Sequence, residues 1–496
     1  MNNHTTPRIT SVHVTSVADR MVRCGTQSVD SASVTFFRIG FGAMMAAWGW
    51  DYLNIGRVTN LYVEPGFHFT YLWFDWVTPW PGNGMYLHFA LLIVLAICIS
   101  VGFIYRIASL LFAIGFSYFF LLDRTNYQNH YYLICLVSWW LPFLPLNRNV
   151  SLDAYLNPKI KNDSIPAWVL WVLLFHVGVP YFFGGIAKIH HDWFLGEPMG
   201  AMLASKSSIP IIGTWLAWPP LVGIFSWGGL FFDLTIVPLL LRKKTRVFAY
   251  TLSVAFHLMN AVLFSIHVFP WFMIFATLLF FDPNWPRRIL GGSPIGLPDT
   301  SVKSWSLMPR RSQIGAWFLI GYCTFHCIWP LRHHLYEGDA SWTEQAHHFA
   351  WRMMLRGKTV VLGYGITDKV TGETIDGQIN RYLCKEQSDK FGRNPDMVLH
   401  LAHFLGDLYR QTSGHDAEVH VLIYASLNGR KPELFIDPNF DLMTIPRGSS
   451  LKGWVMPQKE PMPSKPWAVP VDQWRQHLDV PNLRFLKTNK AAVASP

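Results

Sequence analysis

The stretch YFFGGIAKIHHDWF, residues 181–194, puts an amine and two imidazoles at the end of a long apolar run that begins near Trp168. Lys188 could be an end anchor that floats its charge into water along a buried stem. It could equally be an amine held dry. A lysine in water has a pKa of about 10.4 and is protonated near neutrality, whereas desolvation disfavours the ammonium by up to about 3–5 units. Gly184 and Gly185 would let a ring or a second helix approach the backbone closely just before it.

Other polar side chains lie in apolar surroundings, where each needs a partner or a task. Arg38, His176, Asp233 and His257 fall inside apolar runs, and Asn129, His130 and His333 stand at their ends. Arg38 and Asp233 are expected to form a structural ion pair, and His257 reads first as a satisfied interior histidine. The doublets His190-His191, His333-His334 and His347-His348 do not make a metal site. Adjacent residues on a helix point about 100° apart, and the i,i+3 or i,i+4 ligand spacing is missing within each pair. No metal is expected.

The elements that must position these groups follow from composition. Hydrophobic residues make up 51% of the 496, aromatics 16% and charged residues only 15%, against about 25% charged in soluble domains. Apolar stretches recur at 32–52, 84–105, 107–123, 129–146, 166–187, 218–241, 246–266, 268–282 and 312–331. Stretches of about 18–24 residues suit a hydrocarbon core of about 30 Å, and 268–282 is short and could be re-entrant, so the expected fold is a polytopic α-helical membrane protein of about nine spans. Residues 1–31 form a polar cytoplasmic segment without a signal-peptide core, which leaves insertion to the first span.

With the N-terminus cytoplasmic, Lys and Arg crowd one side, Arg106, Arg148, Lys159, Lys161, Arg310 and Arg311 among them. The opposite side of the membrane region holds only Arg57, Arg124, Lys188, Lys206 and Arg332. That bias follows the positive-inside rule, accounts for the net charge of +10 without nucleic acid, and puts the C-terminal third outside. Asn129, His130, Lys188 and His333 then converge on the outer face.

The C-terminal part, 332–460, is soluble in character. EVHVLIYASLNGRKPELFI alternates as two strands around Asn428-Gly429, a type I′ hairpin signature, and KTVVLGYGITDKVTGETI suggests a second hairpin. WTEQAHHFAWRMML and PDMVLHLAHFLGDLY are expected to be amphipathic helices. The expected domain is α+β, followed by a Pro- and Lys-rich wrapping tail at 461–496.

Between about residues 32 and 455 the chain resembles the vitamin K-dependent gamma-glutamyl carboxylase family. LLDRTNYQNHYYL is similar to that family's LLDKTxxxNHxYL, and YFFGGIAKIHHDWF to its YFxxGxxKLxxDW. FHLMNAVLFSIHVF, DPNWPRR, WTEQAHHFAWRMM and ELFIDPNFDL resemble FHxMNxxLFSIGMF, PEWPRK, WTxxxxxxSWDMM and IFDPRVD. The resemblance implies oxidation of reduced vitamin K by O₂ to the epoxide, coupled to γ-proton removal from a glutamate side chain and addition of CO₂. By the same implication Lys188 is the catalytic base, and Asn129 and His130 orient the quinone oxygen or stabilise the carbanion. His257, Asn260, His333, Gly184, Gly185, Trp351 and Met353 are implied to bind the quinone or substrate. The partners implied are the lipid bilayer, vitamin K and a glutamate-containing protein or peptide.

Three departures stand out. The family's paired lysine is Ala187 here, Met353-Met354 runs into Leu355-Arg356 rather than a histidine, and the animal members continue well beyond Pro496. Quinol oxidation therefore rests on the better-preserved motifs. The short tail and the lack of an evident disulfide pair favour a bacterial inner membrane over the endoplasmic reticulum, with the site facing periplasm or lumen. The competing expectations are a quinone- or lipid-binding protein or transporter without catalysis, and a histidine-ligated metal oxidase.

Overall fold

A computed structural model describes residues 16–478 apart from positions 211, 265, 294, 299, 303 and 464. Arg8, Lys303 and the last part of the expected tail lie outside the described residues. Eleven helices of eight or more residues are described: α1 (Val17–Thr26), α2 (Ala32–Asn54), α3 (Gly84–Val101), α4 (Tyr105–Leu121), α5 (Asn129–Trp140), α6 (Ala167–Ala187), α7 (Pro219–Leu241), α8 (Arg246–Leu263), α9 (Phe269–Ala276), α10 (Arg310–Ile328) and α11 (Pro395–Ser413). Each expected span is therefore helical.

Among the described residues, five helices are long and apolar enough to cross a membrane: α3, α6, α7, α8 and α10 with its 3₁₀ extension to Leu335. The expected count of nine is not reached by that measure. Helices α4 and Phe269–Phe280 are apolar but shorter, α5 has 12 residues, and α2 carries Arg38 and Asp51 in its 23. The tight join expected between the second and third spans is made at Gly102 (φ 67°) and Ile104 (φ 41°). There the Asp153 carboxylate accepts hydrogen bonds from the Ile104 and Tyr105 amides at 2.8 and 3.0 Å, capping the start of α4.

Arg38 does not pair with Asp233. Its guanidinium donates to the carbonyls of Ile99 and Ser100 (2.8 and 2.6 Å), Leu146 (3.1 Å) and Val150 (2.6 Å). The last carbonyls of a helix have no partner within it, and a planar group with five donors satisfies them well. Arg38 thus ties the end of α3 to the 146–150 loop, and Asp233 is left for another cation.

Two short strands, β1 (Ser28–Asp30) and β2 (Ser164–Pro166), pair antiparallel. The C-terminal part holds an antiparallel sheet of β3 (Lys358–Asp368), β4 (Thr374–Asp376), β5 (Ala417–Leu427) and β6 (Glu433–Leu434) in the order β4-β3-β5-β6. Strands β3 (Lys358–Asp368) and β5 (Ala417–Leu427) pair along their whole length, and β4 (Thr374–Asp376) folds back on β3 as the expected second hairpin. Alternation along β5 decides the faces. Val419, Val421 and Ile423 pack against Val398, Leu401 and Leu405 of α11, while Leu422 and Tyr424 pack on the other face against Trp474 of the tail. The expected turn is present, with φ of 52° at Asn428 and 78° at Gly429 and a hydrogen bond from the Arg430 amide to the Leu427 carbonyl. Strand β6 (Glu433–Leu434) is only two residues long.

The helix expected over WTEQAHHFAWRMML does not form. Only Ala340–Thr343 is helical, and Glu344, Ala346, Phe349, Trp351 and Met354 have positive φ. Tertiary contacts override the helical period here. The Phe349 amide donates to Tyr127 Oη at 2.7 Å, the Arg332 guanidinium donates to the His348 carbonyl at 2.5 Å, and Trp342 Nε1 donates to the Met456 carbonyl at 2.8 Å.

Candidate active site beneath the outer domain

Helix α6 contains Pro180 and ends with Lys188 as its C-terminal cap. The side chain turns back along the helix, and Nζ donates to the Gly184 carbonyl at 3.2 Å and to Asp233 Oδ2 of α7 at 2.6 Å. The two side chains are only 8% and 6% exposed. Nζ also lies 5.3 Å from the centre of the Trp193 ring, whose indole is fixed by a 2.8 Å bond to the Ser226 carbonyl. Gly185 makes the close approach of α6 and α7 possible, since a Cβ there would stand 2.7 Å from Leu234 Cδ2 and 3.1 Å from its backbone nitrogen.

The loop after Lys188 is held from above. Buried Asp192 accepts both Arg430 terminal nitrogens at 2.7 and 2.8 Å and the Asn428 amide at 2.8 Å. The hairpin turn of the sheet therefore grips the chain four residues beyond the amine. Bidentate charge-assisted pairs of this kind fix geometry as well as adding energy.

Lys188 and Asp233 line a cavity of about 580 Å³ that also receives Asn129, His130, His257, Asn260 and Met353. These seven residues come from five separate segments of the chain. Phe269 lies between two of the histidines, its ring 5.6 Å from His130 and 5.8 Å from His257. His257 Nε2 is 2.6 Å from Tyr181 Oη, and Asn129 Oδ1 accepts from Tyr127 Oη at 3.0 Å. Buried His130 Nε2 and His257 Nδ1 have no hydrogen-bond partner among the described residues. Buried polar atoms are rarely left in that state unless something else occupies the site. Apolar walls come from Phe225, Phe256, Phe264 and Met273.

The remaining expected residues sit differently. Gly184 supplies its carbonyl to Lys188 and packs beneath Met353, whose Cε would lie 3.0 Å from a Cβ there. Gly185 faces Leu234 rather than the cavity. Trp351 does not line the cavity. Its positive φ (57°) lets the neighbours Arg352 and Met353 point there, while its own ring, 1% exposed, packs 5.0 Å from Tyr132. His333 is also outside it. The 3₁₀ turn Trp329–Leu335 carries it into a separate cavity of about 330 Å³ with His190, His334 and Asp339.

Several groups were not anticipated. Asp233 was visible as an acid in an apolar run, but its partner was assigned wrongly. Tyr181, His267, His347, Arg352, Arg356, Lys390 and Arg393 also line the cavity. Glu344 neutralises part of this charge through Arg356 (2.6 Å) and Lys358 (2.9 Å). Lys390 and Arg393 make no ion pair among the described residues. Burial, reinforced by Arg356 and Arg352, pushes the His347 imidazole well below its ordinary value. It is therefore neutral near pH 7, and the cavity's outer wall draws its charge from Arg and Lys.

In the smaller cavity, His190 Nε2 stands 3.1 Å from Asp339 Oδ2. That hydrogen bond raises the His190 imidazole above its ordinary value against the effect of burial. Burial works to raise the Asp339 carboxyl, but the bonds from His190 and the Ser341 amide prevail and hold it well below the carboxylate range. Among the described residues no group of three or more His, Cys, Asp or Glu is placed to hold a metal ion.

Helices able to cross a bilayer, with a C-terminal sheet clamped onto them, define a multi-pass membrane protein in which a buried lysine–aspartate pair faces a partly apolar cavity. Residues 26–285 match the HTTM domain, and residues 311–461 match the lumenal domain of vitamin K-dependent gamma-carboxylase. The chain belongs to the vitamin K-dependent gamma-carboxylase family. No solved structure matches it.

Proposed function

We propose that this protein oxidises vitamin K hydroquinone to the epoxide, with the Lys188–Asp233 pair as the initiating base, and carboxylates a glutamyl substrate at the same site. The observation that carries the reading is the burial of that pair on one cavity with Asn129, His130 and His257. The cavity suits the quinol. Its volume lies within the range of about 300–1,000 Å³ usual for small-molecule sites, part of its wall is apolar, and two unpartnered imidazole nitrogens supply polar contacts.

When bound, reduced vitamin K supplies, through its reaction with O₂, the base strong enough to ionise a glutamate Cγ–H bond. The protein's part is proton handling, orientation and dryness. The buried amine and carboxylate stand 2.6 Å apart, close enough to pass a proton between them. Holding one proton between them leaves the pair neutral, and a second proton taken from a quinol hydroxyl leaves it cationic beside the new oxyanion. Asn129 and His130 Nε2 are positioned to hold that oxygen. Arg356, Lys390 and Arg393 give the outer wall a place for a substrate carboxylate. Exclusion of water protects a strong base from being quenched.

Purified full-length protein in nanodiscs, supplied with vitamin K hydroquinone and O₂, should form epoxide, and Lys188→Ala should abolish it. Full turnover by that variant would remove Lys188 from the chemistry. Incorporation of labelled CO₂ into glutamyl peptides tests the second half separately. Quinone binding without any epoxide would instead identify a non-catalytic binding protein.

A further inference from the structure

At the other end of the helices, where α3 stops and α4 begins, a cavity of about 550 Å³ is lined by Arg106, Arg148, Lys159 and Lys161. None of the four makes an ion pair among the described residues. The one acid that lines it, Asp153, is already engaged by the Ile104 and Tyr105 amides and by Asn147 Nδ2 at 2.8 Å. The concavity therefore sets four cations against one carboxylate, whose oxygens are occupied by neutral donors, and is cationic on balance. It is also a built feature, because Arg38 draws the 146–150 loop onto the end of α3.

The surface beside it is apolar. Val150, Leu152, Tyr155 and Leu156 are 70%, 44%, 80% and 67% exposed, and Leu152–Leu156 is a short helix. Ile104 and Ile107 on the α4 side are 45% and 59% exposed. Exposed apolar residues next to unpaired cations, at the level where an apolar helix ends, match the boundary between acyl chains and headgroups. A soluble anion would use the cations and leave the apolar rim in water. A lipid would use both.

We infer that this cavity binds the phosphate headgroup of an anionic phospholipid, with the acyl chains lying over Val150, Tyr155 and Leu156. Each cation near a membrane surface contributes about fivefold to such binding, so removing three should weaken it by about 100-fold.

The test is native mass spectrometry of the full-length protein released from micelles doped with phosphatidylglycerol or phosphatidylcholine. Wild type should retain phosphatidylglycerol selectively. Arg148→Ala/Lys159→Ala/Lys161→Ala should lose that selectivity, while Lys244→Ala/Arg310→Ala/Arg311→Ala, which removes as many exposed cations elsewhere, should keep it. Equal loss in both variants, or equal retention of the two lipids by wild type, would overturn the assignment. So would thermal stabilisation by inorganic phosphate alone as large as that by phosphatidylglycerol, because it would identify a soluble anion. None of these readouts depends on turnover.

Discussion

The Lys188–Asp233 pair can be separated from its chemistry by a double-mutant cycle. An exposed ion pair contributes about 0–1 kcal/mol, but these side chains are 8% and 6% exposed with 2.6 Å between the charged atoms. Breaking a buried pair from one side strands the other charge and costs about 3–5 kcal/mol, whereas replacing both partners by apolar groups is close to neutral. Lys188→Met and Asp233→Leu should therefore each destabilise by about 3–5 kcal/mol, and the double variant should recover to within about 1–2 kcal/mol of wild type. Denaturant unfolding in mixed micelles, followed by tryptophan fluorescence, measures this. Epoxide formation from vitamin K hydroquinone should be absent in all three. Single variants within about 1 kcal/mol of wild type would refute the buried-pair reasoning. Epoxide formation by the stable double variant would refute the assignment of the base.

The glycines before Lys188 should behave differently. Gly185→Ala drives a Cβ into Leu234 and its backbone, and is expected to cost about 1–3 kcal/mol and most activity. Gly184→Ala meets the flexible end of Met353 at 3.0 Å and Asp233 Oδ2 at 3.2 Å, so it should cost less stability than Gly185→Ala while still lowering epoxidation. Asp192→Ala strands the Arg430 guanidinium, so it should lower the unfolding midpoint and depress epoxidation even though Asp192 is not among the residues lining the cavity. For His190, the folded imidazole sits above its ordinary value of about 6.5. Its contact with Asp339 thus contributes fully below pH about 6.5 and fades as pH rises through the folded value. Unfolding midpoints of His190→Phe and wild type should differ most near pH 6 and converge toward pH 8.5. A constant difference would refute the protonation linkage.

Much of this site was legible from residue type and hydropathy. Apolar runs located the helices, and their ends located Asn129, His130 and Lys188. Pairing was harder to read. Arg38 and Asp233 were the obvious opposite charges in apolar runs, yet Arg38 is satisfied by carbonyls, which exist at every position and leave no mark in a sequence. Residues 344–354 have helical periodicity but pass through five positive-φ positions because Tyr127 and Arg332 hold Phe349 and His348 in place. Trp351 turns its ring into the core for the same reason, since one residue of rotation along such a path exchanges cavity for core, whereas His333 follows the 3₁₀ turn Trp329–Leu335 into the smaller cavity.

The grip of Arg430 and Asn428 on Asp192 also limits how members of this family could be recombined. A chimera that joined these helices to another member's sheet would keep its amine in register only if the incoming turn carried the same amide and guanidinium. Exchange between the two halves is thus restricted by three side chains that make no contact with a reactant, and natural drift in any one of them would have to be matched by the other two.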